Sequence, residues 1–130
     1  MTRYCIAIPT EDGHTISPHF GRAPKYAVFT VEDGRIVERR EVPKPTHTHS
    51  PEHAHEHDHR PGEHLPMMLA PVQQCRVFIL GGIGRPAYEQ LVARGYEVYL
   101  TGGPIEDAVQ AYLQGHLSTD SRRIHQPHHP

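Results

Sequence analysis

Residues 43–62 constrain this chain more than any other stretch. They read PKPTHTHSPEHAHEHDHRPG, with no aliphatic side chain larger than Ala54 and with Pro43, Pro45, Pro51 and Pro61 among them. A segment with nothing apolar to bury cannot offset the entropy of being ordered. We therefore expect residues 46–63 to form a disordered, flexible, His-rich insert. The residues before it are too few to build a core alone, so the insert interrupts one domain, 1–117, instead of joining two. Residues 118–130 read as a flexible tail. A chain of 130 residues is in any case about one domain long.

Charge and hydropathy narrow the function classes. Thirteen basic and 15 acidic residues give a net charge of −2, without the basic excess that a nucleic-acid surface carries. No apolar run approaches the roughly 20 residues that span a bilayer. The opening MTRYCIAIP is apolar for too short a stretch to be the core of a signal peptide. These features point to a soluble, cytoplasmic protein with neither nucleic-acid nor membrane partners.

Before the insert the pattern is β. Residues 4–8 are nearly all apolar, as in a strand covered on both faces. Strands over 26–31 and 35–42 flank Glu32-Asp33-Gly34, a tight hairpin turn. After the insert the period changes. A helix is expected over 65–74, with Pro66 tolerable in its first turn and Pro71 a kink or stop. A buried strand over 75–80 runs into Gly81-Gly82-Ile83-Gly84, and Pro86 opens a second helix that Gly95 closes. A strand over 96–100, the turn Thr101-Gly102-Gly103 and a last helix opened by Pro104 complete the order β-β-β-α-β-α-β-α. This order predicts an α/β protein with a mixed sheet of five strands flanked by helices, in which strands 4–8, 75–80 and 96–100 are parallel.

Three polar loops then leave the carboxyl ends of the parallel strands, the edge where open α/β sheets collect ligands. The first carries Ser17-Pro18-His19-Phe20-Gly21-Arg22, the second Gly81–Gly84 and the third Thr101-Gly102-Gly103. Glycines between a strand and a helix let backbone N–H groups face an anion. The same glycines also suit a plain tight turn, and the sequence has neither the Walker nor the GxGxxG pattern. Ligand binding by His19 and Arg22 fits the pattern no better than a plain reading in which His19 caps the loop and Arg22 pairs with a carboxylate. Cys5 and Cys75 start their strands, on the order of 15 Å from that rim, and we expect packed, reduced thiols there. The alternating histidines His53, His55, His57 and His59 can chelate a divalent transition metal such as Zn, Ni, Co or Cu.

The segments IAIPTEDGHTISPHFGRAPKYAVF, VEDGRIVERREV and VFILGGIGRPAYEQLVARGYEVYLTGG, with the His-rich gap between the last two, resemble the dinitrogenase iron–molybdenum cofactor biosynthesis proteins. That group includes NifX-like carriers, the C-terminal domain of NifB-type proteins and small stand-alone members. The most specific blocks are Ser17-Pro18-His19-Phe20-Gly21-Arg22-Ala23 and Gly81-Gly82-Ile83-Gly84-Arg85-Pro86-Ala87. The resemblance implies a ribonuclease-H-like fold and a non-catalytic carrier of a metal–sulfur cluster or cofactor precursor, of iron–sulfur or iron–molybdenum type. Such cargo would be lost on aerobic purification, and the partners would be cluster donor or acceptor proteins. On this reading Ser17, His19, Arg22, Gly82, Ile83, Gly84, Arg85, Thr101 and Gly102 form the binding rim. His19 would act as ligand or hydrogen-bond donor, and Arg22 and Arg85 as counter-charges. Catalysis has no support, because the first strand carries no carboxylate to hold a nuclease's metal. The alternatives are a metal-ion buffer or delivery protein working through the insert, and a protein-interaction module without a ligand.

Overall fold

Alternation along the central strands decides the architecture. In β1 (Arg3–Thr10), Cys5 and Ala7 point to one side of the sheet and Ile6 and Ile8 to the other, and all four are buried. Phe78 and Leu80 of β4 (Val77–Leu80) join the first side, Val77 and Ile79 the second. A strand apolar on both faces needs cover on both, and the helices supply it. The computed structural model describes residues 2–44 and 65–125. The insert, with His53, His55, His57 and His59, lies outside them, as do residues 126–130.

The first face is covered by α1 (Leu65–Leu69) and α2 (Arg85–Ala93), through Leu65, Met68, Leu69 and Leu91. The second is covered by α3 (Ile105–Leu113), through Ile105, Ala108 and Val109. The remaining strands are β2 (Lys25–Glu32), β3 (Arg35–Pro43), the short β5 (Ile83–Gly84), β6 (Glu97–Leu100) and the short β7 (Ile124–His125). The main sheet has five strands in the order β3-β2-β1-β4-β6. β1, β2 and β3 pair antiparallel, whereas β1, β4 and β6 run parallel, as the sequence predicts. Asp33 and Gly34 both take positive φ, 52° and 82°. That is the two-residue turn whose twist matches the flanking strands.

Three expectations need correction. The helix expected over 65–74 stops at Leu69, and Ala70–Val72 tighten into a 3-10 turn with Pro71 at its start. Proline lacks the N–H that would continue the α-helical ladder. The cysteines are buried as expected, yet they are joined as a disulfide, with Cα atoms 4.6 Å apart. Arg76 N donates to the Cys5 carbonyl at 3.0 Å, which holds residue 75 beside β1 two positions before β4 begins.

The third correction concerns the tail. Residues 118–125 do not fray but dock along the sheet edge. Thr119 Oγ1 accepts from Leu100 N at 2.7 Å, and Asp120 N donates to the Leu100 carbonyl at 2.9 Å. Ile124 and His125 pair in parallel with Ile83 and Gly84. These bonds use backbone and hydroxyl groups, so they leave no apolar periodicity to read.

Candidate functional site

The parallel direction of β1, β4 and β6 puts three loops on one edge, and the first is organised by its own side chains. Asp12 Oδ1 accepts from His14 N at 2.8 Å and Thr15 N at 2.9 Å. Those backbone donors hold its carboxyl down at about 2. Thr10 Oγ1 donates to the Thr15 carbonyl at 2.7 Å and accepts from Gly13 N at 2.9 Å. Ser17 N donates to the Pro9 carbonyl, returning the chain to the end of β1. Ser17 Oγ then accepts from His19 N at 3.1 Å, a local side-chain turn of the kind serine favours.

The first and second loops are fastened together. Phe20 N donates to the Gly82 carbonyl at 3.1 Å. Gly81 lies so close to the first loop that a Cβ there would collide with the Ser17 carbonyl and stand 3.0 Å from Pro18 Cα. The glycine is required by this backbone-to-backbone approach. Between the two loops opens a cleft of about 270 Å³, lined by His19, Phe20, Gly21, Arg22, Met68, Gly82, Ile83, Gly84 and Ala87. The amino end of α2 meets it through Gly84 and Ala87. No acidic residue sits in that helix's first turn, so its positive dipole end is not offset there. Arg22 is exposed at the rim. Arg85 bonds Glu89 one turn along α2 at 3.2 Å.

The structure thus brings together His19, Arg22, Gly82, Ile83 and Gly84. Ser17 is buried beneath the first loop and does not line the cleft. Arg85 begins the adjoining helix without lining it. Thr101 and Gly102 share the edge but not the opening. Thr101 N donates to the Leu80 carbonyl, and the Gly103 carbonyl accepts from Ile16 N. The Arg123 guanidinium fills the space beside Gly102, its Nη1 donating to the Gly81 carbonyl at 3.1 Å and its Nη2 2.9 Å from where a Gly102 Cβ would stand. Asp120, 3.7 Å from Arg123 Nε, steadies it.

Arg123 lies in the stretch expected to be a flexible tail, so the sequence does not point to it, although Asp120 ahead of two arginines is a turn-capping signal. Nor does the sequence mark Phe20, Met68 and Ala87 as walls of the cleft. Cys5 lines a separate hollow with Arg3, Tyr4, Thr30, Glu38, Arg40 and Gln74. Neither cysteine reaches the cleft, and the disulfide occupies both sulfurs. Among the described residues, no three His, Cys, Asp or Glu side chains are grouped to hold a metal ion, and no helix is long and apolar enough to cross a membrane.

The sequence profile of the family described as dinitrogenase iron–molybdenum cofactor matches residues 2–115. An uncharacterized protein of Methanocaldococcus jannaschii is 28% identical over 113 residues, covering 86% of this chain and 87% of its own. A candidate NifB protein from Thermotoga, solved by NMR, superposes with a TM-score of 0.61 at 25% identity, over 89% of this chain and 92% of its own. The apo form of the orange protein from Desulfovibrio gigas superposes with a TM-score of 0.63 at 24% identity, over 91% of this chain and 93% of its own. That last likeness is one of fold.

Proposed function

This chain belongs to the dinitrogenase iron–molybdenum cofactor family, and from that premise we propose that it is a non-catalytic carrier whose cargo is an anionic metal–sulfur cluster or cofactor precursor. The observation that carries the reading is the meeting of His19, Arg22 and the Gly82–Gly84 backbone in one open cleft at the carboxyl ends of β1 and β4. A sulfide-rich cluster is compact and negatively charged. It needs donors, a cation and a way in and out more than a closed pocket. The amino end of α2 supplies part of the positive potential, Arg22 supplies a charge at the rim, and His19 stands where it can ligate a metal or donate to a sulfide. The role of Ser17 in this reading is to position His19. The antiparallel β3-β2-β1 joined to parallel β1-β4-β6 supports the ribonuclease-H-like assignment. β1, RYCIAIPT, lacks the carboxylates of a ribonuclease-H nuclease, in keeping with carriage over catalysis. Donor and acceptor proteins for the cluster are the partners this role requires.

The test is anaerobic purification without an affinity tag, then metal and sulfide analysis and an absorption spectrum. Stoichiometric metal and sulfide with a charge-transfer spectrum is the expected outcome; a colourless protein that takes up no cluster from a donor overturns the reading. A second reading, metal-ion delivery through the histidines of the insert, is favoured by where that insert attaches: it rejoins the fold at α1, whose Met68 lines the cleft. Deleting residues 46–63 separates the two, because a cluster carrier keeps its cargo and an ion buffer loses its metal.

A further inference from the structure

Lys44 is a lysine that the fold buries. It follows β3, is only 4% exposed, and ties its backbone N–H to the Pro24 carbonyl at 2.9 Å. Its ammonium lies 5.0 Å from the centre of the Phe20 ring, 6.0 Å from that of Tyr26 and 3.7 Å from Met68 Sδ. No carboxylate pairs with it among the described residues. Phe20 and Met68 are walls of the cleft, so the charge stands one side-chain layer behind the binding surface. An ammonium in such a place is held by the electron-rich faces of the rings and the thioether. In a medium of low dielectric its field reaches the cleft with less loss than a solvated charge would suffer.

We propose that Lys44 is the buried counter-charge of the cleft, selecting anionic cargo and releasing it when the ammonium loses its proton. This rests on the carrier reading above and adds to it the charge selectivity of the site and its control by pH. Burial lowers the lysine from its ordinary value of 10.5 to about 8. The sign follows. Below about pH 8 the side chain is charged and attracts an anion; as pH rises through that value the attraction disappears. Three elements pack against the Lys44 side chain. β2 offers Tyr26, whose phenol burial pushes far above the usual range. α1 offers Met68, which does not titrate. The first loop offers Phe20, flanked by His19 and, two residues on, Arg22.

The test uses the full chain and tetrathiomolybdate, a compact sulfide-rich dianion, with affinity measured by anaerobic equilibrium dialysis between pH 7 and 9.5. The parent should bind about tenfold more weakly at the alkaline end, and Lys44→Met should bind about tenfold more weakly at pH 7 and show no alkaline decline. Thermal melts run alongside, and methionine, equal in length and apolar, should keep or raise the melting temperature. The parent's own pH profile needs no variant, so a folding defect in Lys44→Met cannot shield the proposal. Equal affinities of parent and variant at pH 7, or a decline that persists in Lys44→Met, overturn the role of Lys44 and leave the carrier reading standing. Failure of the parent to bind the dianion at any pH overturns both.

Discussion

Two glycine turns leave adjacent parallel strands of this sheet and share a grammar. Gly81-Gly82-Ile83-Gly84 follows β4 and leads directly into α2, whose second residue is Pro86; Thr101-Gly102-Gly103 follows β6 and leads through Pro104 into α3. The first lines an open cleft, and the second is closed. The Arg123 guanidinium lies beside Gly102, Gly103 accepts from Ile16, and Ile105 N donates to the His14 carbonyl at 2.8 Å. Glycine content therefore does not make a site here. What decides is which other segment comes to lie on each turn: the loop bearing His19 frames one, and the C-terminal segment fills the other.

The largest effect is expected at Gly81. Its missing Cβ is what lets the two loops touch, so Gly81→Val should cost about 3–5 kcal/mol, in the range of severe backbone and overpacking defects. Urea denaturation measures it, and a loss under 1 kcal/mol would mean the loops part without penalty. The next effect comes from the opposite end of the strands. Reducing Cys5–Cys75, whose sequence separation is 70, should lower stability by about 2–4 kcal/mol while leaving cargo uptake unchanged, since neither cysteine lines the cleft. Loss of uptake on reduction would show that the two ends of the sheet are coupled. Mass measurement under native and reducing conditions reads the redox state directly.

Gly102→Ala is the counterpart of Gly81→Val. The added methyl meets the far end of a flexible arginine, which can swing aside, and we expect about 1 kcal/mol or less. A cost equal to that at Gly81 would mean that Arg123 is as rigid as backbone. The smallest effect is at Asp12, which fastens the loop bearing His19 and whose carboxyl is held at about 2. A depressed carboxylate contributes stability above its ordinary value of 3.8 that is lost as pH falls through 2. Asp12→Asn should therefore flatten the acid limb of the stability profile between those values. An unchanged limb would show that the charge adds nothing to the loop.

What could be read from the sequence, and what could not, divides along the same line. The parallel strands, the Asp33-Gly34 turn and the proline-opened helices were legible because each has a local physical cause in two to five adjacent residues. The meeting of His19 and Arg22 with Gly82–Gly84 was legible at one remove, from strand direction alone. The filled turn was not, because Arg123 reaches Gly102 through a segment held by backbone and hydroxyl bonds and by the Asp120 carboxylate, none of which leaves a periodic pattern. The disulfide was not either. Cys5 and Cys75 looked like two strand-starting thiols, and only the register of β1 against the residues before β4 brings their Cα atoms to 4.6 Å. Lys44 stands between Pro43 and Pro45, in the polar stretch that leads into the insert, so nothing local marks it as buried.

Whether the cleft holds the cluster is decided by uptake of a metal–sulfur cluster by His19→Ala, set against the parent. A donor protein loaded anaerobically with cluster is mixed with each, and transfer is followed by absorption while thermal melts monitor folding. His19 is an exposed loop side chain, so the melts should coincide. Cluster retention should fall about tenfold or more, the loss typical when a metal site forfeits a ligand or its hydrogen-bonded support. Uptake equal to the parent's, with matching melts, would make His19 a loop-forming residue and contradict the assignment of the cleft as the binding site.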